Sequence, residues 1–282
     1  MDPVNRNKYI FAAAALVLIL VAIYFLFIFQ KGPKDLEGDE TQGEVKELAQ
    51  LELAKRPFVT LTPTSDGAEI IISVENMSEF DRIEYELTYL ADNPQIPGVK
   101  IQRGSTGTDV NTKDQKYKKS LLLGTASRGV RSPDTGVADG KLTMHMFKGD
   151  IEYSSETDWS LIEVGARPQT IQDVAGNFKL DLPAFTKTYW VIIADTIGIP
   201  SGPKFQLENV ALPTYGVFSI APEFTKNAKL TVTSQETLNL KLYSFSTLDS
   251  KWQELDSTYN ESTKSLAATT SSFATFVVVS AK

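Results

Sequence analysis

The chain has 282 residues, with 28 basic and 35 acidic side chains, a single His and no Cys. Without Cys there are no disulfides, thiolate nucleophiles, Cys-ligated zinc sites, iron–sulfur centres or lipoprotein attachment. One His excludes metal sites built on two imidazoles and leaves one candidate for a Ser-His-Asp arrangement. A composition of 42% hydrophobic and 22% charged residues is a globular mixture, and the length suits one large domain or two of ordinary size.

The chain begins with a short stretch, residues 1–8, carrying Arg6 and Lys8. From Tyr9 to Phe29 there are 21 residues without a charge, rich in Ala, Leu, Ile, Val and Phe. As a helix this run would be roughly 31 Å long, the thickness of a bilayer's hydrocarbon core. Lys31 and Lys34 come directly after it, and Tyr9 and Tyr24 suit the interface. A cleaved signal peptide would place small residues at the end of the apolar run. Here Ala12 to Ala15 stand at its start and the end reads Phe25-Leu26-Phe27-Ile28-Phe29-Gln30, which favours a retained anchor over residues 9–30. Basic residues are nearly balanced across this segment, so placing the bulk outside the cytoplasm rests on the domain character of residues 57–282.

Residues 31–56 read as a spacer. Lys31-Gly32-Pro33-Lys34 breaks the helix, and Val45, Leu48 and Leu51 at three-residue spacing predict a short amphipathic helix or stalk over Glu44–Ala54. From Pro57 the period becomes two. Ala68–Val74 reads as a buried strand, and Ile83, Tyr85, Leu87 and Tyr89 alternate with polar residues. Lys116–Leu123 and Lys141–Lys148 add strands, while Asn93–Thr112 and Thr125–Gly140 read as long Gly/Ser/Thr/Asp-rich loops. Beyond Gly165 come strand-like runs over Phe178–Leu182, Tyr189–Ala194, Gly216–Ala221, Lys229–Thr233, Leu238–Tyr243 and Ser271–Ser280. Strands at roughly ten-residue intervals with polar turns predict an all-β chain of two β-sandwich domains, over residues 57–164 and 165–282.

Two segments carry a resemblance. Gln172-Asp173-Val174-Ala175-Gly176-Asn177 resembles the Asp-x-Ala-Gly-Asn turn of bacterial immunoglobulin-like surface modules. Phe224, Leu230, Leu242-Tyr243, Trp252, Leu255, Leu266-Ala267-Ala268 and Phe273-Ala274-Thr275-Phe276 are similar to the closing hairpins of ankyrin and netrin-receptor type sandwich domains. The resemblance spans about a quarter of the chain and implies an immunoglobulin-like adhesive or structural envelope module. It brings no functional residues with it.

Spacing assigns no catalytic, cofactor-binding or metal-binding residue. His145 falls opposite Met144 and Met146 on a strand and reads as a partly exposed structural His. Asp134 to Gly140, and Asp173 with Asn177, are the best oxygen-rich loops for Ca²⁺, yet neither has EF-hand spacing, and turn formation explains Asp beside Gly equally well. Trp159, Trp190 and Trp252 fit a sugar-stacking platform or plain core packing. Gly104-Ser105-Thr106-Gly107 lacks a phosphate loop's lysine and helix. Asn76-Met77-Ser78 and Asn260-Glu261-Ser262 are formal glycosylation sequons. Residues 1–30 carry +1 and the remainder −8, which argues against nucleic acid as partner. The expectation is a single-pass plasma-membrane protein acting outside the cytoplasm as a non-enzymatic scaffold or adhesion module for an envelope protein or polysaccharide. The alternatives are an envelope glycan hydrolase using paired carboxylates, and an accessory subunit of a membrane complex.

Overall fold

The computed structural model describes residues 44–234 and 239–280. The expected tail (1–8), membrane helix (9–30) and first part of the spacer (31–43) lie outside the described residues. Among those described, no helix is long and apolar enough to cross a membrane.

The described chain is all-β, with no α-helix and only short 3-10 turns between strands. β1 (Glu44–Glu47) leads through two such turns, Leu48–Gln50 and Leu53–Lys55, to β2 (Phe58–Pro63) and β3 (Glu69–Glu75). β4 (Arg82–Asp92) and β5 (Lys100–Val110) form a long hairpin, and β6 (Lys116–Leu122) returns to pair with β3. A small hairpin of β7 (Gly124–Ser127) and β8 (Val130–Pro133) precedes a long one, β9 (Ala138–Lys148) with β10 (Ile151–Val164). β11 (Gln169–Gln172) and β12 (Phe178–Leu182) flank the Asp173 turn; β13 (Tyr189–Thr196), β14 (Val210–Phe218) and β15 (Ala228–Thr233) come next. The chain closes through β16 (Leu240–Ser246), β17 (Lys251–Leu255), β18 (Ser257–Asn260), β19 (Ser265–Thr270) and β20 (Thr275–Ser280).

One long sheet runs β17-β16-β20-β14-β13-β10-β9-β4-β5, with β1 added in parallel to β10. A three-stranded sheet, β2-β3-β6, and a five-stranded sheet, β11-β12-β15-β19-β18, complete the layers. Alternation within each strand decides which layer covers which face. Val59, Leu61, Ile70, Ile72, Val74 and Leu121 of the three-stranded sheet meet Ile83, Tyr85, Leu87, Leu142, Met144 and Trp159 of the long sheet in a first core. Phe178, Leu180, Leu230, Val232 and Leu266 of the five-stranded sheet meet Val191, Ile193, Tyr215, Phe276 and Val278 in a second. β13 serves both cores, because Ile192 and Ala194 enter the first while Val191 and Ile193 enter the second. The covering sheets therefore lie on opposite faces of the long one. The expected division at 164/165 coincides with the end of β10, and the long sheet continues past it through the pairing of Val164 with Tyr189.

Two expectations need correcting. Glu44–Ala54 is a strand and two 3-10 turns, with no α-helix. Val45 is 64% exposed whereas Leu48 is buried, so the three-residue spacing does not form one apolar stripe. Buried Arg56 folds this segment back: its guanidinium donates to the carbonyls of Ala49 and Leu51, each at 2.9 Å. Asn76 Nδ2 adds bonds to the carbonyls of Ala54 (3.0 Å) and Arg56 (2.8 Å). The expected loops Asn93–Thr112 and Thr125–Gly140 contain β5 and the β7–β8 hairpin. β5 is an edge strand that is mostly exposed, so it pairs through its backbone without the apolar alternation that marks a half-buried strand.

One tight joint in the first core is between neighbouring strands. Trp159 on β10 is 1% exposed and pairs with Gly140 on β9. A Cβ at Gly140 would run into the indole ring, which also packs on Tyr89 at 6.2 Å between centroids. Gly140→Ala is therefore expected to destabilise the protein by about 1–3 kcal/mol through overpacking, measured as a lower urea midpoint with unchanged slope.

Candidate functional site

The outward face of the three-stranded sheet is an ordered grid. In β2, Val59 and Leu61 point into the core, so Phe58, Thr60 and Thr62 point out; in β3, Ile71, Ser73 and Glu75 point out for the same reason. Pairing sets these beside residues of β6, giving the rows Phe58–Glu75–Lys116, Thr60–Ser73–Lys118 and Thr62–Ile71–Ser120.

An outward sheet face is ordinarily wet, but here Phe58, Thr60 and Ser73 are buried, at 4%, 8% and 7% exposure. The β16–β17 turn and the residues after β14 close over them. Phe58 meets Phe245 edge-on at 6.4 Å between centroids, and Phe245 in turn lies 5.2 Å from Trp252. Between grid and turn is a cleft of about 360 Å³, walled by Ile220, Phe245, Thr247, Leu248 and Ser250 opposite the grid. That volume lies at the lower end of the range for small-ligand sites, about 300–1,000 Å³.

The cleft's polar groups are unevenly satisfied. Lys116 Nζ pairs with Glu75 Oε1 at 2.5 Å. Ser219 Oγ donates to the carbonyl of Trp190 at 2.7 Å and accepts from the N–H of Ala221 at 3.1 Å. Ser73 Oγ, by contrast, is buried and has no hydrogen-bond partner among the described residues. A buried hydroxyl left unpaired costs about 1–3 kcal/mol, and this one belongs to a residue that lines the cleft. Lys118, in the same row, forms no ion pair among the described residues and stands at the mouth. No signal in the sequence singles out this grid, because the burial of Thr60 and Ser73 is created by a turn about 170 residues further along the chain.

The residues weighed from sequence are dispersed. Trp159 is in the first core, Trp190 packs on Gly67 in the β2–β3 turn, and Trp252 lies beside Phe205 and Phe245 with its indole N–H donated to the Ser201 carbonyl. They form no common platform. His145 Nδ1 bonds Glu152 Oε1 at 2.7 Å on the partly exposed face of β9, away from Met144 and Met146. Asp134 accepts the Tyr89 hydroxyl at 2.9 Å and closes the turn that leads into β9. Gly136 contributes its carbonyl to Lys100 at 2.6 Å, and its left-handed backbone (φ 61°) lies against the Asp92 carboxylate. Asp173 accepts the Phe178 N–H at 2.7 Å, and the Asn177 carbonyl accepts from Thr233 at 2.7 Å, so this segment works as a turn lock. Gly104 to Gly107 lie within edge strand β5, where Gly107 seats the Tyr85 ring. Asn76 and Asn260 are both engaged, Asn76 as a donor to the spacer and Asn260 as acceptor for Ser262 and Thr263. Among the described residues no three acidic or imidazole groups are placed to share a metal ion.

Paired carboxylates do occur in one concavity, of about 210 Å³, where Glu156 and Asp158 of β10 and Asp195 of β13 face the Asp173 turn. It is lined otherwise by Thr157, Val174, Ala175, Ile193 and Ala194, with no aromatic side chain for a sugar to stack on. Burial, reinforced by Asp173 and Asp158, pushes the Asp195 carboxyl from 3.8 up to about 6. Burial likewise pushes Tyr215 up, with Asp173 and Asp195 adding to the effect. A larger opening, about 890 Å³ between residues 49–56 and 203–208, is walled by Leu51, Leu53, Phe205 and Leu207, and its Arg56 is already committed to two carbonyls.

Comparison with known protein families and with curated proteins finds no match.

The raised Asp195 pKa fixes a pH dependence. Folded protein binds this proton more tightly than unfolded chain, so the carboxylate is a stability cost above pH 6 that is relieved as pH falls towards 3.8. Asp195→Asn should stabilise by about 1–2 kcal/mol at pH 7.5, after allowance for water screening, seen as a Tm rise of roughly 2–6 °C. Calorimetry near pH 4 should find the gain largely gone.

Proposed function

We propose that the chain is a single-pass plasma-membrane protein, anchored through residues 9–30 with residues 1–8 in the cytoplasm. Its body comprises two immunoglobulin-like β-sandwiches outside the cytoplasm. It acts there as a non-enzymatic scaffold or adhesion module that binds an envelope polysaccharide or protein. The apolar 9–30 run supports the anchor, and the layered all-β body supports the sandwich reading.

One observation carries the binding role: the cleft of about 360 Å³ whose base holds a buried hydroxyl with no partner among the described residues. Rigid strands hold the grid, and an anchor raises the local concentration of such a site at the surface. A hydrolase would draw on the Asp158–Asp195 pocket, but its small volume and lack of aromatic walls suit it poorly to a glycan chain.

The reading is tested in intact cells. Protease added outside should remove the body, detergent should be needed to extract the full chain, and deletion of residues 1–30 should release a soluble β-rich protein. Protection of the body until lysis would overturn the topology.

A further inference from the structure

Resting on the cleft as a binding site, we propose that its ligand is an anionic carbohydrate unit, a sugar ring bearing a carboxylate or phosphate.

The row Thr60–Ser73–Lys118 crosses three neighbouring strands in direct register, a span of roughly 10 Å at the usual strand spacing. Along it the chemistry changes from hydroxyl to ammonium. Thr60 and Ser73 are buried, and Ser73 Oγ offers a donor and acceptor with no partner among the described residues. Lys118 is exposed at the other end. In the adjacent row Glu75 neutralises Lys116 at 2.5 Å, which leaves Lys118 as the cleft's uncompensated charge among the described residues. A ligand filling this row presents hydroxyls inward and a negative charge outward.

The opposite wall supplies Phe245 and Ile220, apolar surface for the C–H face of a ring. An extended peptide added as a strand would be held chiefly by main-chain bonds to a strand edge, whereas this cleft offers side chains on a sheet face. The body's net negative charge does not oppose the assignment at short range: in 0.15 M salt, exposed charges further than about 8 Å are largely screened, so Lys118 sets the field at the mouth.

The test is titration calorimetry on the full chain in detergent micelles. The probes are a glucuronate-containing disaccharide, its neutral glucose counterpart, glucose 6-phosphate and inorganic phosphate. A charged sugar should bind better than the neutral one, and whichever of the two charged sugars binds tighter identifies the anion. Lys118→Gln should weaken charged-sugar binding by roughly 10-fold or more, and Ser73→Ala by roughly 3–10-fold. Because the Ser73 hydroxyl has no partner among the described residues, Ser73→Ala should leave Tm unchanged or higher, which separates lost binding from lost fold. Lys179→Gln, on the five-stranded sheet, should change nothing. Equal binding of neutral and charged disaccharides, unaffected by Lys118→Gln, would overturn the charge assignment and leave the binding role standing. Inorganic phosphate binding as tightly as glucose 6-phosphate would overturn the carbohydrate. No saturable binding of any sugar would overturn the inference together with the polysaccharide-binding role.

Discussion

From Val191 to Ala194, successive side chains leave β13 on alternate faces and all are buried. Along these four residues water therefore has no access to either side, and each side needs its own covering layer. At about 1.5–3 kcal/mol for each large aliphatic side chain buried, leaving one face bare would forfeit a large fraction of a typical domain's net stability. The three-stranded sheet covers one side and the five-stranded sheet the other. β14 repeats the arrangement, sending Phe218 to the first core and Tyr215 and Val217 to the second. The architecture is the outcome of two adjacent strands that are buried on both faces over Val191–Ala194 and Thr214–Phe218.

Sharing one sheet also creates the cleft. At the far end of the long sheet, β16 and β17 give Leu242 and Leu255 to the second core, while Phe245 at the end of β16 reaches the outer surface of the three-stranded sheet. The β16–β17 turn buries Phe58, Thr60 and Ser73, residues that lone strand alternation would leave in water. The aromatic contacts Phe58–Phe245 and Phe245–Trp252 fix the approach, and hydroxyl groups occupy the space that remains.

Much of the fold is legible in the sequence where a strand has one apolar and one wet face. Ile83 to Tyr89, Phe178 to Leu182 and Lys229 to Thr233 alternate strictly and are strands. The central strand β10 is not legible, because its first half, Ile151–Glu156, mixes Ile151 and Tyr153 with two serines and two glutamates, and the core-facing Trp159, Leu161, Ile162 and Val164 come only in its second half. Edge strand β5 is hidden similarly: backbone pairing, which composition does not record, is what holds it. The segment before β2 misleads through spacing, since three-residue intervals fit a helix and a string of tight turns alike. The candidate site is the least legible part. Ser73 reads as an ordinary solvent-facing residue until Thr247 to Ser250 arrive from the far end of the chain.

The start of the described body has a mechanical side. Any tension arriving along the preceding chain meets first the four residues of β1 zipped to β10, and next the carbonyls grasped by Arg56. β10, like β13 and β14, contributes to both cores, so this load would enter at a strand they share. Loss of the β1 pairing alone would free Glu44–Glu47 as slack, whereas any further yielding would draw Leu48 out of the first core.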